Sequence, residues 1–167
     1  MKGLVLMKKV YLQRISQHGS VCYIGKMDPR ELVRVATKIE MSVTQDAQRP
    51  LNEKRVKDIA SYVSEYGILP STLTVATRDQ RFQLKKSEKL SGMFYIEFPE
   101  TDEEYVKFVD AIDVMDGQHR LYSFLPHLRL IQEDVKYEIG FTMYFTPTLD
   151  ERRKIFTNRY SCIIKRW

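Results

Sequence analysis

Two stretches whose apolar residues recur every three or four positions follow each other early in the chain. No other feature narrows the fold as much. Leu32, Val35, Ala36 and Ile39 fall at i, i+3, i+4 and i+7, and Val56, Ile59, Ala60 and Val63 repeat that spacing. Each set predicts a helix with one buried face. The first helix starts at Asp28-Pro29-Arg30-Glu31. There Asp28 can cap, Pro29 suits the first helical position and Glu31 completes a capping box. The second runs from Asn52 to Tyr66, with Gly67 as its stop and Pro70 preventing resumption.

Around these helices the apolar period drops to two. Val10-Tyr11-Leu12 and Val21-Cys22-Tyr23-Ile24 read as strands around a polar turn at Gln17-His18-Gly19-Ser20. Leu73 to Thr77 and Met93 to Phe98 are predicted strands on either side of a polar stretch, Arg78 to Ser91. Pro99 to Glu104 reads as an acidic turn and Val106 to Met115 as a buried strand. A short helix through Leu121, Phe124 and Leu125 should end near Pro126. Ile139, Phe141, Met143 and Phe145 alternate along a last strand, and Thr148-Leu149-Asp150-Glu151 opens a helix toward Phe156. This order of elements predicts a small mixed α+β domain, without repeats or linkers.

A chain of 167 residues suits one domain. With 43% hydrophobic and 29% charged residues it has an ordinary globular composition. No apolar run approaches the roughly 18 residues of a membrane helix. The start, Met1 to Lys9, has too short an apolar part for a signal peptide. Two cysteines, Cys22 and Cys162, cannot build a disulfide framework or a four-cysteine zinc site. These features favour the cytoplasm over secretion or a membrane. The net charge of +5 is uneven: residues 1–90 hold 17 Lys/Arg and 9 Asp/Glu, residues 91–167 hold 10 and 13. A basic half attracts polyanions. It also simply keeps a protein soluble, and charge alone does not choose between the two.

The least generic segment is the junction from Ile112 to Leu121, which contains Asp116-Gly117-Gln118-His119-Arg120. Gly117 lets the backbone turn sharply and approach a ligand. A helix beginning at Gln118 aims unpaired N–H groups and a positive dipole end at that place, an anion site. Arg120 adds a planar fork for phosphate oxygens, and His119 a donor that charges near neutral pH. Asp116 caps the helix, or holds His119, Arg120 or a metal bound to phosphate. Alternation sets Asp113 on the opposite side, so Asp116 is the carboxylate assigned to the site. The same residues also fit a capped turn with solvated charges. His18 and His127 have no partner at metal-binding spacing, and no phosphate-binding glycine loop or catalytic triad order is present. Tyr11, Tyr23, Phe94, Tyr95, Phe141 and Phe145 lie in predicted strands and are assigned to the core rather than to base stacking.

Asp116-Gly117-Gln118-His119-Arg120 resembles the signature of the DGQHR-domain family, which includes DndB-like proteins associated with bacterial DNA phosphorothioation and relatives in other DNA-modification systems. Arg49-Pro50-Leu51-Asn52, the helix with Arg55, Val56, Ile59 and Tyr62, and Gly67-Ile68-Leu69-Pro70-Ser71 look like that family's upstream block. The spacing is also similar to ParB-type domains and, more remotely, to sulfiredoxin. The resemblance covers roughly residues 10 to 158.

It implies a ParB/sulfiredoxin-like mixed sheet with flanking helices, as a single domain over residues 1–158 with a basic and apolar tail over 159–167. It places Gly117, Gln118, His119 and Arg120 nearest bound phosphates, with Arg49 as a further phosphate or supporting contact. The implied cofactor is a nucleoside triphosphate, ATP or CTP, with Mg2+. The implied partners are DNA, a nucleotide, a second copy of the chain or other DNA-modification proteins. The basic helix face with Lys54, Arg55 and Lys57 either meets DNA or is a solvated surface. Gln118 stands where sulfiredoxin carries its reactive cysteine, so sulfinate reduction is not expected. Family members continue beyond Phe156-Thr157-Asn158 with a helical C-terminal part, so the chain reads as a shortened member. Three functions stay open. One is a regulatory or DNA-binding module with a phosphate site at the turn. Another is a nucleotide hydrolase or nuclease in which Asp116 or His119 positions water or acts as base. The third is a non-functional remnant.

Overall fold

The computed structural model describes residues 7–37, 51–77, 80–145, 148 and 150–151. Strand β1 (Met7–Gln17) and strand β2 (Ser20–Met27) pair antiparallel. His18 and Gly19 both take positive φ, 47° and 80°, as a two-residue hairpin turn requires. Helix α1 (Pro29–Val35) starts as expected, with the Asp28 carboxylate accepting the Arg30 N–H at 2.8 Å. It ends one turn early. Ala36 bridges to Ile112, and the Thr37 N–H donates to the Ile112 carbonyl at 2.8 Å. Bonding to the sheet thus replaces a further helical turn, and Ile39 lies outside the described residues.

Helix α2 (Glu53–Tyr66) stops at Gly67 as the sequence predicts, and its N-cap is Asn52. The Asn52 side chain accepts the Arg55 N–H at 3.0 Å, and Gly67 adopts φ 73°. Val56, Ala60 and Val63 are buried, and Ile59 is half-buried. There follow β3 (Leu73–Thr77), β4 (Lys85–Lys86), β5 (Met93–Pro99), α3 (Asp102–Lys107), β6 (Ile112–Asp116), α4 (Gln118–Tyr122) and β7 (Ile139–Phe145). The strands form one sheet in the order β4-β5-β1-β2-β7-β3-β6. All neighbours are antiparallel except β3 and β7, which run parallel. The chain is thus a mixed α+β single domain, as expected. Val10, Leu12, Ile96, Phe98, Leu73, Val75, Phe141 and Met143 from the sheet join Leu32, Val35, Val56 and Leu121 from the helices in one apolar cluster.

Three expectations need correction. The apolar stretch from Val106 to Met115 is not one strand, because helix α3 takes its beginning. Thr101 caps that helix by accepting the Glu104 N–H at 3.3 Å, and Val106 is 73% exposed. The polar stretch 78–91 holds the short strand β4 and a buried Phe82, whose ring lies 5.4 Å from Phe98 and 4.8 Å from Phe108. Tyr11, assigned to the core, lies at the surface beside Tyr95, while Tyr23 packs edge-on against Phe94 and Phe145. Near the other end, Thr148 and Glu151 exchange the reciprocal bonds of a capping box. The 159–167 tail and Cys162 lie outside the described residues.

Candidate functional site at the turn between β6 and α4

Strand β6 delivers Asp116 opposite Thr74 of β3, and Gly117 then reverses the chain at φ 89°, ψ 20°. The Gly117 carbonyl accepts the Leu121 N–H at 3.0 Å, the first bond of α4. The N–H groups of Gln118, His119 and Arg120 precede that bond and have no intrahelical acceptor. A Cβ on Gly117 would sit 2.5 Å from Leu73 Cδ2 and 2.9 Å from Arg120 Nη2. The glycine therefore has a packing reason that the sequence did not reveal.

The side chains of the motif divide by direction. Gln118 is buried, with Nε2 donating to the Val114 carbonyl at 3.4 Å. Arg120 donates from Nη1 to the Ser71 carbonyl at 2.7 Å and to the Ser71 hydroxyl. Its Nη2 lies 3.8 Å from the Asp116 carboxylate, which is half-exposed. The guanidinium thus ties the turn to the chain entering β3. His119 is half-buried, and its Nε2 accepts the Asn52 N–H at 3.0 Å. That bond fixes the tautomer: Nε2 is bare and Nδ1 carries the proton.

Burial first, and the positive charge of Arg55 second, hold His119 below its ordinary pKa. The sign of the consequence follows. In the unfolded chain the imidazole takes up a proton as pH falls through about 6.5. In the folded chain it does so only at lower pH. Between those values the unfolded state binds more protons, so stability falls from about pH 6.5 down to the folded pKa and then levels. Replacing His119 with Gln should flatten that section of the curve of melting temperature against pH. An unchanged slope would show that His119 is not its source.

The bond from Asn52 also brings the N-terminus of α2 against α4. Of the basic residues assigned to one α2 face, Arg55 is the one whose charge acts on the His119 imidazole. Lys57 does not share that face. At 100° per residue it stands on the other side of the helix, where it pairs with Glu53 at 2.6 Å. Arg49 lies outside the described residues. Asp113 is buried and accepts from the Thr37 hydroxyl at 2.9 Å, away from the role given to Asp116. Thr74, facing Asp116 across the ladder, has a buried hydroxyl with no hydrogen-bond partner among the described residues. Buried hydroxyls are seldom left so.

Among the described residues no group of three or more His, Cys, Asp or Glu stands together as a metal site. A groove of about 710 Å3 lies elsewhere, lined by Lys8, Lys9, Tyr11, Lys26 and Lys136 among others, and it includes none of the five motif residues. Asn52 and Ser71 are the contact residues that sequence reasoning missed. Asn52 was legible as the start of a helix, but nothing local showed where its own N–H or the Ser71 carbonyl would point.

The sequence profile of a family described as DndB, DNA-sulfur modification-associated, matches residues 11–162. The chain belongs to the DndB family. No curated protein and no solved structure matches it. The DndB match spans every described strand and helix except the first residues of β1. The sheet from Tyr11 onward, and the turn at Gly117 with it, thus lies within the match to a DNA-sulfur modification-associated family. In this DndB-family chain no helix among the described residues is long and apolar enough to cross a membrane.

Proposed function

We propose that the chain is a DNA-contacting regulatory module of a DNA-phosphorothioation system, acting in the cytoplasm, with the turn at Gly117 as its phosphate contact. The observation that carries this reading is the 3.0 Å bond from the Asn52 N–H to His119 Nε2. It seats the start of α2, with Glu53, Lys54 and Arg55 in its first turn, beside the turn that holds Arg120. The start of α2 and the guanidinium groups of Arg55 and Arg120 can attract a phosphate, against the partly offsetting carboxylates of Glu53 and Asp116.

The geometry favours binding over catalysis. The bare nitrogen of His119 is already taken by the Asn52 amide, so it would have to break that bond to act as a base. A nucleoside triphosphate suits the same charges as a DNA phosphate does. Its Mg2+ would then be held by phosphate oxygens with Asp116 as the adjacent carboxylate.

Titration with duplex DNA, ATP and CTP at two salt concentrations tests the reading. Duplex affinity should fall steeply with salt, and Arg55→Ala and Arg120→Ala should each reduce the log–log slope by about 1. Absence of binding by the wild-type chain, or slopes untouched in both variants, would sink it.

A further inference from the structure

We propose that the groove of about 710 Å3 between β1, β2 and the loop before β7 is a second ligand site, for a small aromatic phosphomonoester. It shares no residue with the turn at Gly117 and does not rest on the DNA reading. The strand pairing opens this space. The register of β1 with β2 runs from Gln17 opposite Ser20 to Gln13 opposite Ile24 and stops there. Beyond it, residues 7–13 of β1 follow β5 and residues 23–27 of β2 follow β7. The groove is lined by residues 8–11 of the one strand and 24–27 of the other.

Lys136, Tyr137 and Glu138 make the third wall, and Arg30 fixes it. The Arg30 guanidinium donates to the carbonyls of Gln132 at 3.0 Å and Val135 at 2.7 Å, while its Nη2 holds the Asp28 carboxylate at 2.6 Å. The loop is thereby tied to the start of α1, and the wall is preformed, as small-molecule sites usually are.

Charge selects the occupant. Each carboxylate lining the groove already has its own cation: Asp28 has Arg30, Glu31 has Lys8, and Glu138 has Lys26 at 3.0 Å. Lys9 and Lys136, on opposite walls, are left over. Neither stands in an ion pair among the described residues, and Lys9 Nζ lies 4.4 Å from the centre of the uncharged Tyr95 ring. Two surplus positive charges suit one doubly charged group, and a phosphomonoester carries about −1.5 to −2 at neutral pH. A nucleic-acid strand would bring a phosphate with every nucleotide against three carboxylates. Tyr11 and Ile24, 36% and 39% exposed, add an aromatic ring and a branched chain to the lining. A bare phosphate would leave both wet, whereas a ligand with a flat ring covers them. The volume lies within the roughly 300–1,000 Å3 of small-molecule sites, which suits a nucleoside monophosphate.

Calorimetric titration of the full chain with AMP, and with adenosine and inorganic phosphate as its two halves, tests the site. AMP should bind one to one and about tenfold or more tighter than either half. Changing Lys9 and Lys136 together to Gln should weaken AMP binding by about tenfold or more, and leave the melting temperature and the salt slope of duplex binding unchanged. Changing both to Arg should retain AMP binding. No AMP binding by the wild-type chain, or AMP binding untouched in the Gln variant, would overturn the site. Equal affinities for AMP and inorganic phosphate would do the same, since the groove would then hold no ring. A Gln variant that loses duplex affinity along with AMP would assign both lysines to DNA and also overturn it. An Arg120→Ala chain that no longer binds duplex but still binds AMP would support the groove and count only against a different site, the turn.

Discussion

The Gly117→Ala variant should melt about 5–15 °C below the wild-type chain, followed by circular dichroism. Two costs combine. A left-handed backbone at φ 89° penalises any Cβ by about 1–2 kcal/mol. The new Cβ would also press on Leu73 Cδ2 at 2.5 Å and Arg120 Nη2 at 2.9 Å, adding about 1–3 kcal/mol. Neither neighbour can yield easily: Leu73 is fully buried, and Arg120 is held by Ser71. A wild-type melting temperature in the variant would mean that the turn is not under this constraint.

Leu73→Ala gives the second large effect, a loss of about 2–5 kcal/mol for emptying a closed site at the start of β3. Its value lies in combination with Gly117→Ala. The space vacated by Leu73 Cδ2 is where the Gly117 Cβ would go. The double variant should therefore cost less than the sum of the single ones, by about 0.5–3 kcal/mol. Strict additivity in urea unfolding would show that backbone conformation alone, and not the Leu73 contact, makes glycine necessary there.

The parts of the fold legible in the sequence are those fixed by local chemistry. The cap at Asp28 and the stop at Gly67 set helix boundaries close to those observed, and alternation from Ile139 to Phe145 marked the buried side of β7. Helix α3 was misread although its Thr101-to-Glu104 cap stands in the sequence, because the apolar residues from Val106 onward suggested a strand. Ala36 left its helix for a partner 76 positions away, which no local pattern encodes. The same divide runs through the site. The turn and its glycine could be read from five letters. That Arg120 would reach Ser71 and that His119 would receive the Asn52 amide depended on how α2, α4 and β3 come together, whereas the place of Lys57 opposite Arg55 follows from the helical period alone.

The strand order also sets when the sheet can close. Residues 7–13 of β1 pair with residues 93–99, and residues 23–27 of β2 with residues 139–143. During synthesis the first hairpin must therefore wait with both outer margins unsatisfied until distant strands emerge. Such non-local closure slows folding and leaves the nascent hairpin open to wrong partners. Whatever shields those margins on the ribosome should govern how much native protein a cell recovers.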